Sequence, residues 1–474
     1  MTETAALLPS ETLRRNLTPR WRTVLSVISP GDTAWVLMSA ALVLLMTPGL
    51  ALFYGGMVRS KSVLNMIMMS FLAIGIVTII WVLYGFSLVF GTDLGQGLLG
   101  GLDFVGLKET MTAVTGAEGS RIPMLAFVMF QLTFAIITAA LISGAVADRV
   151  RIRTWIVFVA AWTTLVYLPI AHWAFAFDGG EGGWIADRLH ALDFAGGTAV
   201  EINSGFSALA LVLVVGKRVG WQRDPMRPHN LPLVLLGAGL LWFGWFGFNA
   251  GSALAANGLA ATAMINTQIA TAMGALSWVV VERLRDGRPT TLGIASGAVA
   301  GAVGITPSCG FVNPLGALLI GLAAGALCAL AVGLKYRLGY DDSLDVVGVH
   351  GVGGLVGMFA IGLLATTTAN SAGADGLFYG GGLGLLGKQA VAALVTLGYA
   401  FAVTWLIAKV LDRTMGFRVS RDEEMGGIDL SEHAESAYDI MGTQAGSFAG
   451  VGHHGALGGQ GHPGREQDRP EDRA

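Results

Sequence analysis

Charge is what this chain has least of. Of its 474 residues, 13% are Asp, Glu, Lys or Arg, against 53% hydrophobic, and the mean hydropathy is +0.63. That balance excludes an ordinary soluble domain and identifies an integral membrane protein. The formal net charge of −3 leaves no basic stripe to meet a phosphate backbone, which excludes nucleic acid as a partner. Cysteine is equally scarce. Cys309 and Cys328 lie in apolar surroundings and form neither a disulfide framework nor a metal-ligand pattern. The sequence has no nucleophile–base pair, metal cluster or phosphate loop, so neither an enzyme nor a cofactor is expected. Arg14, Arg15, Arg20 and Arg22 are followed by TVLSVIS, too short for the apolar region of a cleaved signal peptide.

Apolar sequence is what the chain has in quantity. Crossing a ~30 Å hydrocarbon core takes about 20 residues of helix. Eleven runs approach that length: 33–54, 64–90, 122–146, 153–175, 198–216, 231–253, 259–282, 291–308, 314–335, 346–366 and 386–411. Basic residues gather in alternate loops: Arg59/Lys61, Arg149/Arg151/Arg153, Lys217/Arg218/Arg223/Arg227, Arg283/Arg285/Arg288 and Lys335/Arg337. The opposite loops hold scattered positives such as Lys108, Arg121 and Arg188. The positive-inside rule therefore predicts a multi-pass protein of the plasma membrane, N-terminus outside and C-terminus cytoplasmic. The four N-terminal arginines argue the other way and are outvoted by five loops.

The 68 glycines lie mostly inside the apolar runs. Gly293, Gly297 and Gly301, Ala317, Gly321 and Gly325, and Gly353 and Gly357 recur every fourth residue, which predicts closely packed helices. Two ionisable residues interrupt otherwise apolar spans: Glu201 in the fifth and His350 in the tenth. A charge at mid-membrane costs at least ~2.5 kcal/mol, so such residues usually face the bundle interior and mark a path for an ion or proton. The alternative is a hydrogen-bonded tether between helices. Glu201 follows Asp193 and a Gly pair, and His350 follows Asp345 and Gly348. Five spans per half would give two inverted repeats, with a site at the midplane between them. Asp193 precedes Gly196, Gly197 and Thr198 at a helix start, where capping is its default role. Asp341, Asp342 and Asp345 are expected to cap the tenth span.

Organisation follows from composition. An N-terminal extracytoplasmic tail (1–32) precedes the helical domain (33–411). A polar, ordered cytoplasmic tail follows (412–442), and then a disordered Gly- and His-rich end (443–474). His453, His454 and His462 read as a solvated terminus before they read as ligands.

The stretches DFAGGTAVEIN (193–203), GWFGFNAGS (244–252), GITPSCGFV (304–312) and DDSLDVVGVHGVGG (341–354) resemble the ammonium transporter (Amt/Mep/Rh) family. The likeness runs from about residue 33 to 440. It implies an all-α fold of eleven transmembrane helices, built as two inverted five-helix repeats and assembled as a homotrimer with one pore per subunit. Phe134 and Phe248 match two stacked phenylalanines at the outer mouth, and Ser252 a hydroxyl of the recruitment site. Trp245 matches a pore-lining tryptophan, His350 the second of two facing pore histidines, and Asp193 a buried aspartate that shapes the site. Without the motif, each of these would be core packing or a cap. Aromatic faces attract a cation by ~0.5–2 kcal/mol, and a hydroxyl accepts an N–H donor. A narrow apolar lumen disfavours an ion far more than neutral ammonia. The tail GFRVSRDEEMGGIDLSEHAESAY (416–438) resembles a segment that packs under the trimer and couples to PII-type signal proteins.

Two positions depart from the family pattern. Glu201 stands where most bacterial members have His, as in a subset that includes some fungal transporters. A carboxyl there is either neutral or ionised against a protonated His350, and the pair titrates jointly. Phe175, in HWAFAFDGG, stands where many members have a tryptophan, and Trp184 is not expected to replace it. The expected function is ammonium capture outside, deprotonation, and conduction of ammonia and a proton inward. A passive ammonia or carbon dioxide channel and an ammonium sensor are the alternatives. The aromatic–serine mouth argues against the first, and a tail of only ~60 residues after 411 against the second.

Overall fold

The computed structural model describes residues 28–438 except Gly180. The N-terminal tail up to residue 27, and the end from 443 with its three histidines, lie outside them. Among the described residues, ten helices are long and apolar enough to cross a membrane. They are α1 (Pro30–Met57), α2 (Val63–Phe90), α3 (Met124–Val146), α4 (Ile152–Phe175), α5 (Gly197–Val215), α6 (Leu231–Gly251) and α7 (Gly258–Arg285). A shorter apolar helix, α8 (Thr291–Ile305), comes next, followed by α9 (Pro314–Leu338), α10 (Val347–Leu364) and α11 (Gly384–Thr414). Two short hairpins, β1–β2 (Asp93–Leu94, Leu99–Gly100) and β3–β4 (Val114–Thr115, Ile122–Pro123), fold over the α2–α3 connection.

Small residues let these helices close up. A methyl group at Gly237 in α6 would lie 2.3 Å from the Phe53 amide nitrogen in α1. One at Gly301 in α8 would lie 2.2 Å from the Ala270 carbonyl oxygen in α7, and one at Gly325 in α9 would lie 2.3 Å from that of Gly274. Two of the expected four-residue stripes are therefore the contact lines among α7, α8 and α9, and the third, Gly353 and Gly357 in α10, meets the end of α8 at Val303 and Gly304. Leu236, Phe243, Leu276, Leu394 and Leu406 turn outward and are more than half exposed, as lipid-facing side chains are.

The two ends of the bundle differ. Ile28 bridges to Arg121, and the Ala256 amide donates to Asp32, so α1 begins at the end where α3 and α7 begin. The tail lies at the other end, where Val150 bridges to Arg418. There the buried Arg149 donates to the carbonyls of Ala145, Ala147, Gly216 and Asp341 and to the Ser343 hydroxyl. Two short helices finish the described chain, α12 (Arg421–Gly426) and α13 (Ile428–His433). Asp429 accepts the Leu64 and Asn65 amides at the start of α2, and Glu432 accepts the Ile152 amide at the start of α4. These carboxylates supply caps that their helices lack locally. The polar segment up to Ala437 thus belongs to the helical body.

Candidate functional site

The site is built from two helix starts that face in opposite directions. Asp193 caps α5: one carboxylate oxygen accepts the amides of Gly196 and Gly197, and the other accepts the Thr198 amide and hydroxyl. Gly196 makes this turn at φ +115°, a conformation that favours glycine. Eight residues after the aspartate, Glu201 lies in a π-helical turn, Gly197–Ile202. At the other end of the bundle, Asp342 accepts the amides of Val346 and Val347. Eight residues later, His350 lies in a second π-helical turn, Val347–Gly351. Wide turns of this kind recur at functional sites.

This geometry corrects the sequence-based pairing. Asp342, and not Asp345, is the counterpart of Asp193. Of the three carboxylates expected to cap α10, Asp342 alone does so. Asp341 binds the Arg218 guanidinium at 2.8 Å and Asp345 the Lys335 ammonium at 2.6 Å. Burial pushes the Asp342 carboxyl up to about 6. Burial also works to raise Asp341, but Arg218 and then Arg149 outweigh it and hold that carboxyl below the usual range.

The two π-turns cross in the middle of the bundle. His350 Nδ1 and Glu201 Oε2 are 2.7 Å apart, and both residues are buried. The crossing is close because glycine follows each ionisable residue by four positions. A methyl at Gly205 would meet the Gly351 backbone at 2.2 Å, and one at Gly354 would meet Glu201 Cβ at 2.8 Å. Glu201 and His350 line a cavity of about 10 Å³ whose other walls include Leu50, Val200, Leu241, Trp245, Phe248 and Val299. That is about the room needed by one water.

The wider cavity lies at the α1 end. It measures about 650 Å³, and its walls include Phe134, Phe175, Asp193, Ser252, Asn370 and Gln131. Phe134 lines this vestibule and Phe248 the narrow cavity. Their rings stand 4.4 Å apart at 47° and form the partition between the two. Ser252 donates to the Phe248 carbonyl at 2.9 Å, leaving its oxygen lone pairs for a donor. Trp245 is 5.7 Å from Phe248, and its indole N–H is held by the Thr306 hydroxyl at 2.9 Å. Phe175 does line the vestibule, whereas Trp184 is not in its wall and packs 5.7 Å from Trp173.

Two positioning residues escaped the sequence reading: Thr306 and Gln389. The Gln389 amide, fully buried on α11, accepts the Leu192 N–H and donates to the Leu192 carbonyl, both at 2.7 Å. It anchors the segment that carries Asp193. A lone amide in an apolar run was the available signal.

The vestibule, the paired rings and the buried acid–imidazole pair can be compared with known proteins. The profile described as Ammonium Transporter Family matches residues 34–438. An ammonium transporter of Mycobacterium tuberculosis is 57% identical over 438 residues, covering 88% of this chain and 92% of the relative. The crystal structure of Saccharomyces cerevisiae Mep2 is similar at a TM-score of 0.77 and 35% identity, covering 84% of this chain and 89% of that one. A structure described as a sensor Amt protein reaches the same TM-score at 28% identity, covering 85% and 98%. The chain belongs to the ammonium transporter family.

Proposed function

We propose that the protein takes up ammonium by separating it into ammonia and a proton. The cation is recruited in the vestibule, where Ser252 offers a hydrogen-bond acceptor and Phe134, Phe248, Trp245 and Phe175 offer aromatic faces. Beyond the rings the lumen is apolar, so the bare ion is disfavoured and ammonia is not. The proton passes along Glu201 and His350, and the two products recombine at the far side. The net result is electrogenic uptake. Asp193 shapes the site and does not touch the substrate.

One observation carries this reading: the two ionisable side chains lining an otherwise apolar cavity share a single 2.7 Å hydrogen bond. Such a bond can hold its proton as imidazole N–H to carboxylate or as carboxyl O–H to imidazole nitrogen. The pair is thus suited to pass a proton through a dry lumen, and sodium or potassium has no proton to give. Glu201 in place of a family histidine would shift the working pH range, and Glu201→His would shift it back.

Eleven crossings, two inverted repeats and an outside N-terminus belong to the same reading. The start of α1 and the tail at opposite ends call for an odd number of crossings, which α8 completes. The paired Asp193/Glu201 and Asp342/His350 units, capped from opposite ends, support the repeat. Homotrimer assembly in the plasma membrane and a PII-type partner at the tail complete it.

The test is current on a solid-supported membrane after an ammonium pulse, with potassium and methylammonium for comparison. A sustained ammonium-specific current, lost in the Glu201→Ala, His350→Ala double variant, is expected. Ammonia flux without current would replace the proposal with a passive channel. Ammonium binding without either would favour a sensor.

A further inference from the structure

A third cavity carries a chemistry unlike the pore. It lies at the tail end of the bundle, between the segment after α5 and the start of the tail, and measures about 500 Å³. Its charged walls are Lys217, Arg218, Arg223, Arg418 and Arg421, beside Trp221, and no carboxylate residue lines it among the described residues. Two of the five cations are fixed. Arg218, 8% exposed, is locked to Asp341 at 2.8 Å and to Asp148 at 3.4 Å, and Arg418 is held by Glu424 at 2.6 Å. These ion pairs hold both guanidinium groups in place in the cavity wall.

The other three cations, Lys217, Arg223 and Arg421, have no carboxylate within ion-pair distance among the described residues. Lys217 is steadied instead by an aromatic face, with its ammonium 4.7 Å from the Trp221 ring centre. Trp221 stacks on Tyr336 at 6.1 Å and 13°. Like charges converging on one concavity repel unless an anion joins them. Guanidinium and ammonium groups together are the set that recognises phosphate. The volume falls in the range of small-molecule sites and exceeds the need of a simple ion.

We propose that this cavity binds a phosphate-bearing ligand, either an anionic lipid headgroup or a soluble phosphate compound. Because Arg418 and Arg421 belong to the tail, an occupant ties the tail to the bundle. The site is independent of the ammonium pathway, and its test does not depend on transport.

The experiment is native mass spectrometry of the full chain in detergent. It is titrated separately with phosphatidylglycerol, phosphatidylcholine, ATP and an acidic peptide. The variant Lys217→Gln, Arg223→Gln, Arg421→Gln is compared with a charge-matched control, Arg227→Gln, Arg283→Gln, Arg288→Gln. The expected result is binding of phosphatidylglycerol or ATP that weakens at least ~10-fold in the first variant and less than ~2-fold in the control, as loss of specific phosphate contacts requires. Phosphatidylglycerol alone identifies the lipid source, and ATP alone the soluble one. Equal weakening in both variants, preference for the acidic peptide, or no binding of either phosphate probe overturns the proposal.

Discussion

Gly205→Ala tests whether helix packing sets the pore chemistry. The new methyl would stand 2.2 Å from the Gly351 nitrogen and 2.3 Å from its Cα. Both are backbone atoms of the turn that carries His350, so no side chain can rotate out of the way. Restoring a contact of about 3.5 Å parts α5 and α10 by about 1.2 Å. Glu201 is one turn before the methyl and His350 is next to Gly351. Their 2.7 Å hydrogen bond would open to about 3.9 Å, beyond hydrogen-bond range. Overpacking alone costs about 1–3 kcal/mol of stability. Loss of a charge-assisted bond costs about 1.5–3 kcal/mol more. Carried onto the transport barrier, that second figure is a loss of about 10–150-fold. The assay is ammonium-evoked current at matched protein density, with thermal unfolding measured in parallel. Gly239→Ala, whose methyl would meet nothing within 4 Å, serves as the control and should match the wild type. A Gly205→Ala protein with lowered stability but undiminished current would refute the link between the crossing and the proton path.

Three further outcomes are expected. Gln389→Leu leaves both backbone groups of Leu192 unpaired, at about 1–3 kcal/mol each. It should raise the half-saturating ammonium concentration more than it lowers maximal current, with Gln389→Glu intermediate; an equal effect on both parameters would contradict a vestibule role. Asp342 has a folded-state carboxyl raised to about 6 by burial, against about 3.9 unfolded. The folded state therefore binds the extra proton, and stability falls as pH rises from about 4 to about 6, with a constant penalty above. Melting curves across that window should lose this slope in Asp342→Asn, and an identical slope in both proteins would exclude the assignment. Asp429→Ala frees the Leu64 and Asn65 amides at about 1 kcal/mol. Hydrogen exchange at those two amides should quicken about fivefold, and unchanged exchange would show that water replaces the cap at no cost.

Composition and hydropathy determined the helical membrane class, because apolar runs of membrane length have few other uses. The runs match the observed helices closely: the tenth was expected at 346–366 and lies at Val347–Leu364. The four-residue glycine spacing placed the close contacts of α7, α8 and α9, since a missing side chain is visible in the sequence. Glu201 and His350 stood out because an ionisable group in an apolar run is costly. That they face each other followed only from the family resemblance, since the partner is 149 residues away; the 2.7 Å bond itself depends on the crossing at Gly205 and Gly354. The same limit left the α10 cap spread over three carboxylates, of which Asp342 alone caps the helix. Asp341, Asp342 and Asp345 are equivalent in composition and spacing, and the positions of Arg218 and Lys335 in space decide which carboxylate is left to cap the helix. Local chemistry is written along the chain, whereas the division of labour among neighbouring charges depends on partners delivered by other helices.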